Sequence, residues 1–250
     1  MAMNYSWNWG VLLQPTGVGN EVYWQWLLTG FKWLLVIGGS GWLIALIIGT
    51  ILGIMRTLPN KTARAIGTAY VSFFRNIPLL IQLFFWFYVA PTWLTPALQK
   101  WWFQELDPNT SAVVSASIGL GLFTAARIVE QVRTGIESLP KGQINAAYAL
   151  GFTLPQTYRH IVLPQAFRVI LPPMSSELTN CFKNASVASL VGVTELISQT
   201  KTISEYTQNN IEVYTFTTII YLLFNLVLIY FMTWLEKKLR IKDQIDGGGA

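Results

Sequence analysis

The chain of 250 residues predicts an all-α integral membrane protein of five spanning helices, and three observations carry that expectation. Only 12% of its residues are charged while 52% are hydrophobic, about half the charge of an ordinary soluble domain. Five stretches are apolar over about 20 residues, the length that crosses a hydrocarbon core. Lys and Arg gather in alternate connections, the bias that orients membrane helices. The 11 Trp residues fit the same solvent: near-pairs such as Trp7/Trp9, Trp24/Trp26 and Trp101/Trp102 suit the boundary between hydrocarbon and headgroups.

Taken in order, the first span is expected at Trp33 to Met55, rich in Leu, Ile and Gly. The second runs from Ile77 to about Leu94 through Phe84-Phe85-Trp86-Phe87-Tyr88. The third is Ala112 to about Val132, with Arg127 and Glu130 in its second half. The fourth, roughly Val169 to Val193, is the least apolar, because Glu177, Asn180, Lys183 and Asn184 lie inside it. The fifth, Tyr214 to Leu235, is the plainest. The whole chain, 1–250, reads as one transmembrane domain.

Orientation follows from the connections. The first carries Arg56, Lys61, Arg64 and Arg75 without an acid between them, and the third Arg133, Lys141, Arg159 and Arg168. The second sets Lys100 against Glu105 and Asp107, and the fourth sets Lys201 against Glu195, Glu205 and Glu212. The end of the chain is basic again, from Lys237 to Lys242. This alternation expects the N-terminus outside and the C-terminus in the cytoplasm.

Several function classes drop out. A net charge of +5 spread over membrane connections calls for no nucleic-acid partner. Cys181 stands alone, so neither an internal disulfide nor a cysteine metal cluster can form. Met1 to Gly10 lacks the basic stretch and cleavable apolar core of a signal peptide. His160 is the sole histidine, and no Gly-x-x-x-x-Gly-Lys-Ser/Thr loop is present to cradle ATP phosphates. No metal or cofactor is expected in the chain itself, and no catalytic residue.

The third connection is the informative one. Gly142 to Ala149 reads as a short helix, Gly151 as its turn, and a second short helix should open near Pro155 and close at Pro164. Ala146, Ala147 and Ala149 give the first helix a surface without bulk, suited to a groove on another protein. An amphipathic helix lying on the headgroups fits the same pattern.

These residues resemble the binding-protein-dependent ABC importer permeases. That family's cytoplasmic signature is Glu-Ala-Ala, three residues, Gly, nine residues and Ile-x-Leu-Pro; here Asn145-Ala146-Ala147, Gly151 and Ile161-Val162-Leu163-Pro164 stand at those spacings. Asn145 departs from the usual Glu, leaving a neutral hydrogen bond where a charge could have paired with the ATPase. Phe74-Arg75-Asn76-Ile77-Pro78-Leu79, Leu139 to Gln143 and Leu171-Pro172-Pro173 are similar to the polar amino-acid branch; Trp7-Asn8-Trp9-Gly10 and Phe103 to Asn109 look like its glutamate and aspartate permeases. The resemblance implies a multi-pass subunit of the bacterial inner membrane, with coupling helices at about 141–165. It also implies partners: two cytoplasmic ATPase subunits that bind ATP and Mg, a second permease (sister or self) and a periplasmic amino-acid-binding protein. A permease for glutamine, arginine or histidine is the alternative within the family.

Charge inside the spans is the second signal. Arg127, Glu130, Glu177 and Lys183 each cost about 2.5–3.5 kcal/mol if left ionised at bilayer centre, so they should face a polar path or one another. Glu177, Asn180, Lys183 and Asn184 share one face of the fourth span at about 100° per residue. A zwitterionic substrate needs a cation and an acceptor, and an acidic amino acid needs a second cation, which Arg127 and Lys183 could supply. Arg127 and Glu130, three apart, could equally be a structural pair. A secondary transporter would explain these charges but not the alanine-rich signature, and a membrane enzyme finds no dyad or metal site here.

Overall fold

A computed structural model describes residues 5–239; Arg240, Lys242 and the Gly247-Gly248-Gly249 run of the basic tail lie outside them. Among the described residues the chain is helical, with one isolated antiparallel bridge between Pro15 and Val22. The principal helices are α1 (Tyr23–Thr57), α2 (Lys61–Asn76), α3 (Leu79–Phe84), α4 (Pro96–Lys100) and α5 (Pro108–Glu137). After them come α6 (Lys141–Ala149), α7 (Leu154–Thr157), α8 (Leu163–Ala185), α9 (Leu196–Thr207) and α10 (Asn210–Leu239).

Three of these, α1, α5 and α10, are long and apolar enough to cross a membrane. They contain the expected first, third and fifth spans, and α1 begins ten residues before the first apolar run does. α5 is the most enclosed, with 72% of its apolar window buried, and α10 the least, with 6%.

The second expected span is corrected. The expected stretch Ile77 to about Leu94 falls on the helical run Leu79–Trp93, which α2 meets at a 102° bend and which reaches spanning length only together with α2. Pro78 is the cause, since it lacks an N–H and pushes the residue before it out of the α region. The fourth expected span falls on α8 and the 3-10 turns Ser186–Val191, which end at Gly192 in the left-handed region (φ 89°). α8 carries Pro172 and Pro173 as well as its charges and stays below the apolarity of the other three.

The chain falls into two compact units, and α1, α5, α8 and α10 each contribute residues to both. The first comprises the described part of Met1–Ile44 with Ile77–Phe123 and Asn180–Asn225. Its core holds Leu34, Ile37, Leu83, Leu120, Leu196 and Ile203, all fully buried. With no hydrophobic drive between helices in lipid, close backbone approach and dispersion must hold such a core. Gly38 shows this: a Cβ there would lie 2.2 Å from a ring carbon of Phe182. Two acids are also sealed in this unit. Glu195 caps α9 by accepting from the N–H groups of Ile197 and Ser198, both at 2.9 Å. Glu212 accepts from the Tyr5 hydroxyl and from the Asn8 N–H, which ties the N-terminal segment to the first turn of α10.

The second unit comprises Ala45–Asn76, Thr124–Thr179 and the described part of Leu226–Ala250. Gly67 of α2 sits where a Cβ would lie 2.5 Å from Cγ of Arg56, so α2 packs directly on that arginine's stem.

Candidate functional site

The second unit carries the signature segment and part of the intramembrane charge set singled out in the sequence. The first is the segment between α5 and α8. Ala147 is the residue that α6 buries, at 1% exposure, while Asn145, Ala146, Tyr148 and Ala149 stay open. Leu150, next to the turn, is 78% exposed. At Gly151 the backbone is left-handed (φ 84°), its N–H donates to Tyr148 O and the N–H of Phe152 donates to Ala147 O, both at 3.0 Å. That arrangement satisfies the end of α6. A Cβ at Gly151 would meet nothing within 4 Å, so the backbone angle, and no neighbour, is what calls for glycine. Thr153 and Gln156 then form a capping box that starts α7.

The sequence expectation that this second helix closes at Pro164 is corrected. The helix passes through a π-turn, Tyr158–Val162, where the N–H of Leu163 reaches back five residues to Tyr158 O, and continues as α8. The ladder shifts register just where Pro164 cannot donate, so the proline is absorbed into a running helix. Tyr158 also fastens the segment: its hydroxyl donates to Thr57 at the end of α1, 3.1 Å from O. Ile161 and Leu163 are half-buried and Pro164 is exposed.

The second feature is a network of charges. Glu130 on α5 receives Nη1 of Arg56 at 2.5 Å and Nη2 of Arg133 at 3.0 Å, with Nη1 of Arg75 at 4.0 Å. Arg133 continues to Glu137 at 2.7 Å. Arg127 reaches Glu177 of α8, Nη1 to Oε2 3.7 Å, with the Gln131 side chain alongside. Glu177 is 9% exposed, and its Oε2 takes no hydrogen bond among the described residues. The Arg127–Glu130 pairing open in the sequence gives way to pairing across helices: Glu130 to α1 and Arg127 to α8.

Of the six candidate substrate residues, Arg127, Glu130 and Glu177 therefore come together in the second unit, and Asn180, Lys183 and Asn184 belong to the first. Lys183 is exposed, and no carboxylate pairs with it among the described residues. Sequence reasoning missed Arg56, Arg75 and Arg133 as partners of Glu130. Arg133, three residues on, was within reach of a helical-spacing argument; Arg56 and Arg75 come from other helices and left no signal.

The sequence matches the family described as binding-protein-dependent transport system inner membrane component over residues 22–241. The chain belongs to this family. It is 43% identical to the glutamate/aspartate import permease protein GltJ of Escherichia coli strain K12, over 98% of this chain and 100% of that one. It is 34% identical to the probable glutamine ABC transporter permease protein GlnM of Bacillus subtilis, over 77% of this chain and 83% of that one. Among solved structures, a chain from the crystal structure of an amino acid ABC transporter with histidines superposes with a TM-score of 0.69 at 24% identity, covering 86% of this chain and 95% of that one. The protein is thus a permease subunit of an ABC amino-acid importer, a membrane component with the fold of that solved transporter chain.

Proposed function

We propose that the subunit forms half of a passage for glutamate and aspartate through the bacterial inner membrane. The observation that carries the substrate is the 43% identity over 98% of the chain to a glutamate/aspartate import permease. In this reading five spans cross the bilayer: α1, the bent pair that begins with α2, α5, α8 with its 3-10 turns, and α10. The N-terminus lies outside and the C-terminus in the cytoplasm. A sister or second copy completes the passage, a periplasmic binding protein delivers the amino acid, and two ATPase subunits hold ATP and Mg.

The ATPases dock on the segment 141–165. The open small-residue surface of Asn145, Ala146 and Ala149, beside the protruding Leu150, supports that assignment. Ala147, Ile161, Leu163 and Pro164 set the surface from beneath or behind. Gly151→Asp should leave the subunit inserted and abolish transport-linked ATP hydrolysis; normal stimulation in an assembled complex would refute the docking surface.

The charges serve as stations for the substrate. Glu177 offers the buried Oε2 to an ammonium, Arg127 and Lys183 offer cations to carboxylates, and Asn180 and Asn184 offer neutral hydrogen bonds. Glu130, with both oxygens engaged by arginines, holds the network. The deciding assay is uptake into proteoliposomes holding the whole importer. Lys183→Met keeps the stem of the side chain and should weaken glutamate and aspartate transport about a hundredfold, the loss expected where bound substrate desolvates the charge pair. Restoration by a second mutation that neutralises Glu177 or Glu130 would make Lys183 a structural cation instead. Uptake confined to a neutral or basic amino acid would remove the acidic substrate and leave the importer reading intact.

A further inference from the structure

Helix α2 has three faces, and of the two exposed ones only Arg75 enters the network described above. At about 100° per residue, Gly67 and Val71 mark the buried face, flanked by half-buried Ala63, Tyr70 and Phe74. Ile66 and Phe73, seven residues apart and 52% and 60% exposed, mark a second, apolar face. The third runs through Lys61, Arg64, Thr68, Ser72 and Arg75 at steps of three, four, four and three, every residue exposed. A shallow groove follows it, lined by Lys61, Arg64, Thr68 and Ser72 with Ala65 and Ala69 between them.

An exposed apolar face and an exposed polar face on one helix cannot both suit hydrocarbon. Ile66 and Phe73 suit lipid, so the polar stripe should turn to water. Its charge is one-sided: Lys61, Arg64 and Arg75 are cationic, and α2 contains no Asp or Glu. Arg75 comes within 4.0 Å of Glu130 yet keeps 56% of its side chain open, so it is not consumed by that contact. A low-dielectric wall carrying one sign of charge concentrates the opposite sign beside it.

We infer that the Lys61–Arg75 stripe of α2 is the anion-guiding wall of the water-filled passage, presenting successive cations and hydroxyls to the carboxylates of an acidic amino acid. This rests on the importer reading, and its cargo on the glutamate/aspartate reading. Its charge preference can be measured with no substrate present. An α2 lying on the cytoplasmic headgroups, polar face to the cytosol, is the competing arrangement.

The test places single cysteines by Thr68→Cys, Ser72→Cys and, as a lipid-face control, Ile66→Cys in the complete importer in proteoliposomes. Cys181, buried at 1%, should stay silent in the parent protein. Two membrane-impermeant methanethiosulfonates are compared, one sulfonated and one bearing a trimethylammonium, each normalised to its rate with a free thiol. The sulfonate should win by about three- to tenfold at both stripe positions, the effect of a potential of one to a few kT. Arg64→Gln should shrink that preference. Trapping the complex with ATP and vanadate should change the stripe rates, and the Ile66→Cys variant should show neither effect. Equal rates for the two charges, or no labelling of the stripe, would overturn the wall. Rates indifferent to trapping would place α2 on the membrane surface and overturn it too. If the anion preference stands while glutamate uptake fails, the substrate reading falls and the wall survives.

Discussion

In the first unit α1 meets its neighbours through Leu34, Ile37 and the notch at Gly38; farther along, the same helix ends in the second unit at Arg56, whose guanidinium closes on Glu130 at 2.5 Å. Close packing runs through both units, with Gly49 against Ile128 and Gly135 against Ile170 in the second, and the second adds a cluster of arginine–carboxylate pairs. Shape complementarity in a close-packed interior tolerates one arrangement, because a methylene in the wrong place costs energy in every direction. A carboxylate with three arginines around it is different. Arg56, Arg133 and Arg75 lie at 2.5, 3.0 and 4.0 Å from Glu130, so the acid has more than one arginine within reach. A transporter needs a part that keeps its form and a part with more than one good form. The arginine cluster at Glu130 has the makings of the second.

Stability measurements can break or sharpen the contrast. The largest loss is expected from Glu130→Ala, which strands the largely buried Arg56: about 3–5 kcal/mol in thermal melting of the purified protein. A loss under about 1 kcal/mol would mean that the network adds little to holding its unit together. Gly38→Ala drives a methyl into Phe182 and should cost about 1–3 kcal/mol, read as a lower melting temperature. If it costs more than Glu130→Ala, shape outweighs charge and the comparison inverts. Thr217→Val removes the 2.7 Å hydroxyl contact with Thr200 but leaves the Thr200 donor on Leu196 O, so about 0.5–1 kcal/mol is expected from the same melt. Smallest of all, Lys201→Ala breaks an exposed pair with Glu205 at 3.9 Å and should shift stability by less than about 0.5 kcal/mol. A larger effect would place that surface against a neighbouring protein.

The parts of this fold legible in the sequence are those set by short-range physics. Apolar length marks α1, α5 and α10, and the need for a left-handed residue marks the turn at Gly151. The family signature was readable for the same reason, since its spacing is local. Misreadings arose where one residue permits two outcomes. Pro78 both ends α2 and opens α3, so the run read as starting at Ile77 follows another helix at a 102° bend. Pro164 looked like a stop, but the π-turn before it lets the helix run on. The network around Glu130 was half visible. Arg56, Arg75 and Arg133 were counted as loop charges that orient the chain, and nothing local says that two of them arrive from other helices beside the same acid. Glu195 and Glu212 read as acids of an outer loop and are fully buried, one capping α9 and the other clasping the N-terminal segment.

The absorbed proline has a mechanical consequence. From Leu154 to Glu177 the chain is helical over about 35 Å, interrupted only by the π-turn and by Pro172-Pro173, between the turn at Gly151 and the acid that meets Arg127. A rod delivers torque as well as thrust, where a loop would dissipate both. The π-turn near its base holds one residue more than an α-turn would, and drawing that residue into register would spin everything beyond it by about 100°. Glu177 would then swing off Arg127 only as the buried face of Val162, Ala166, Met174 and Leu178 repacks.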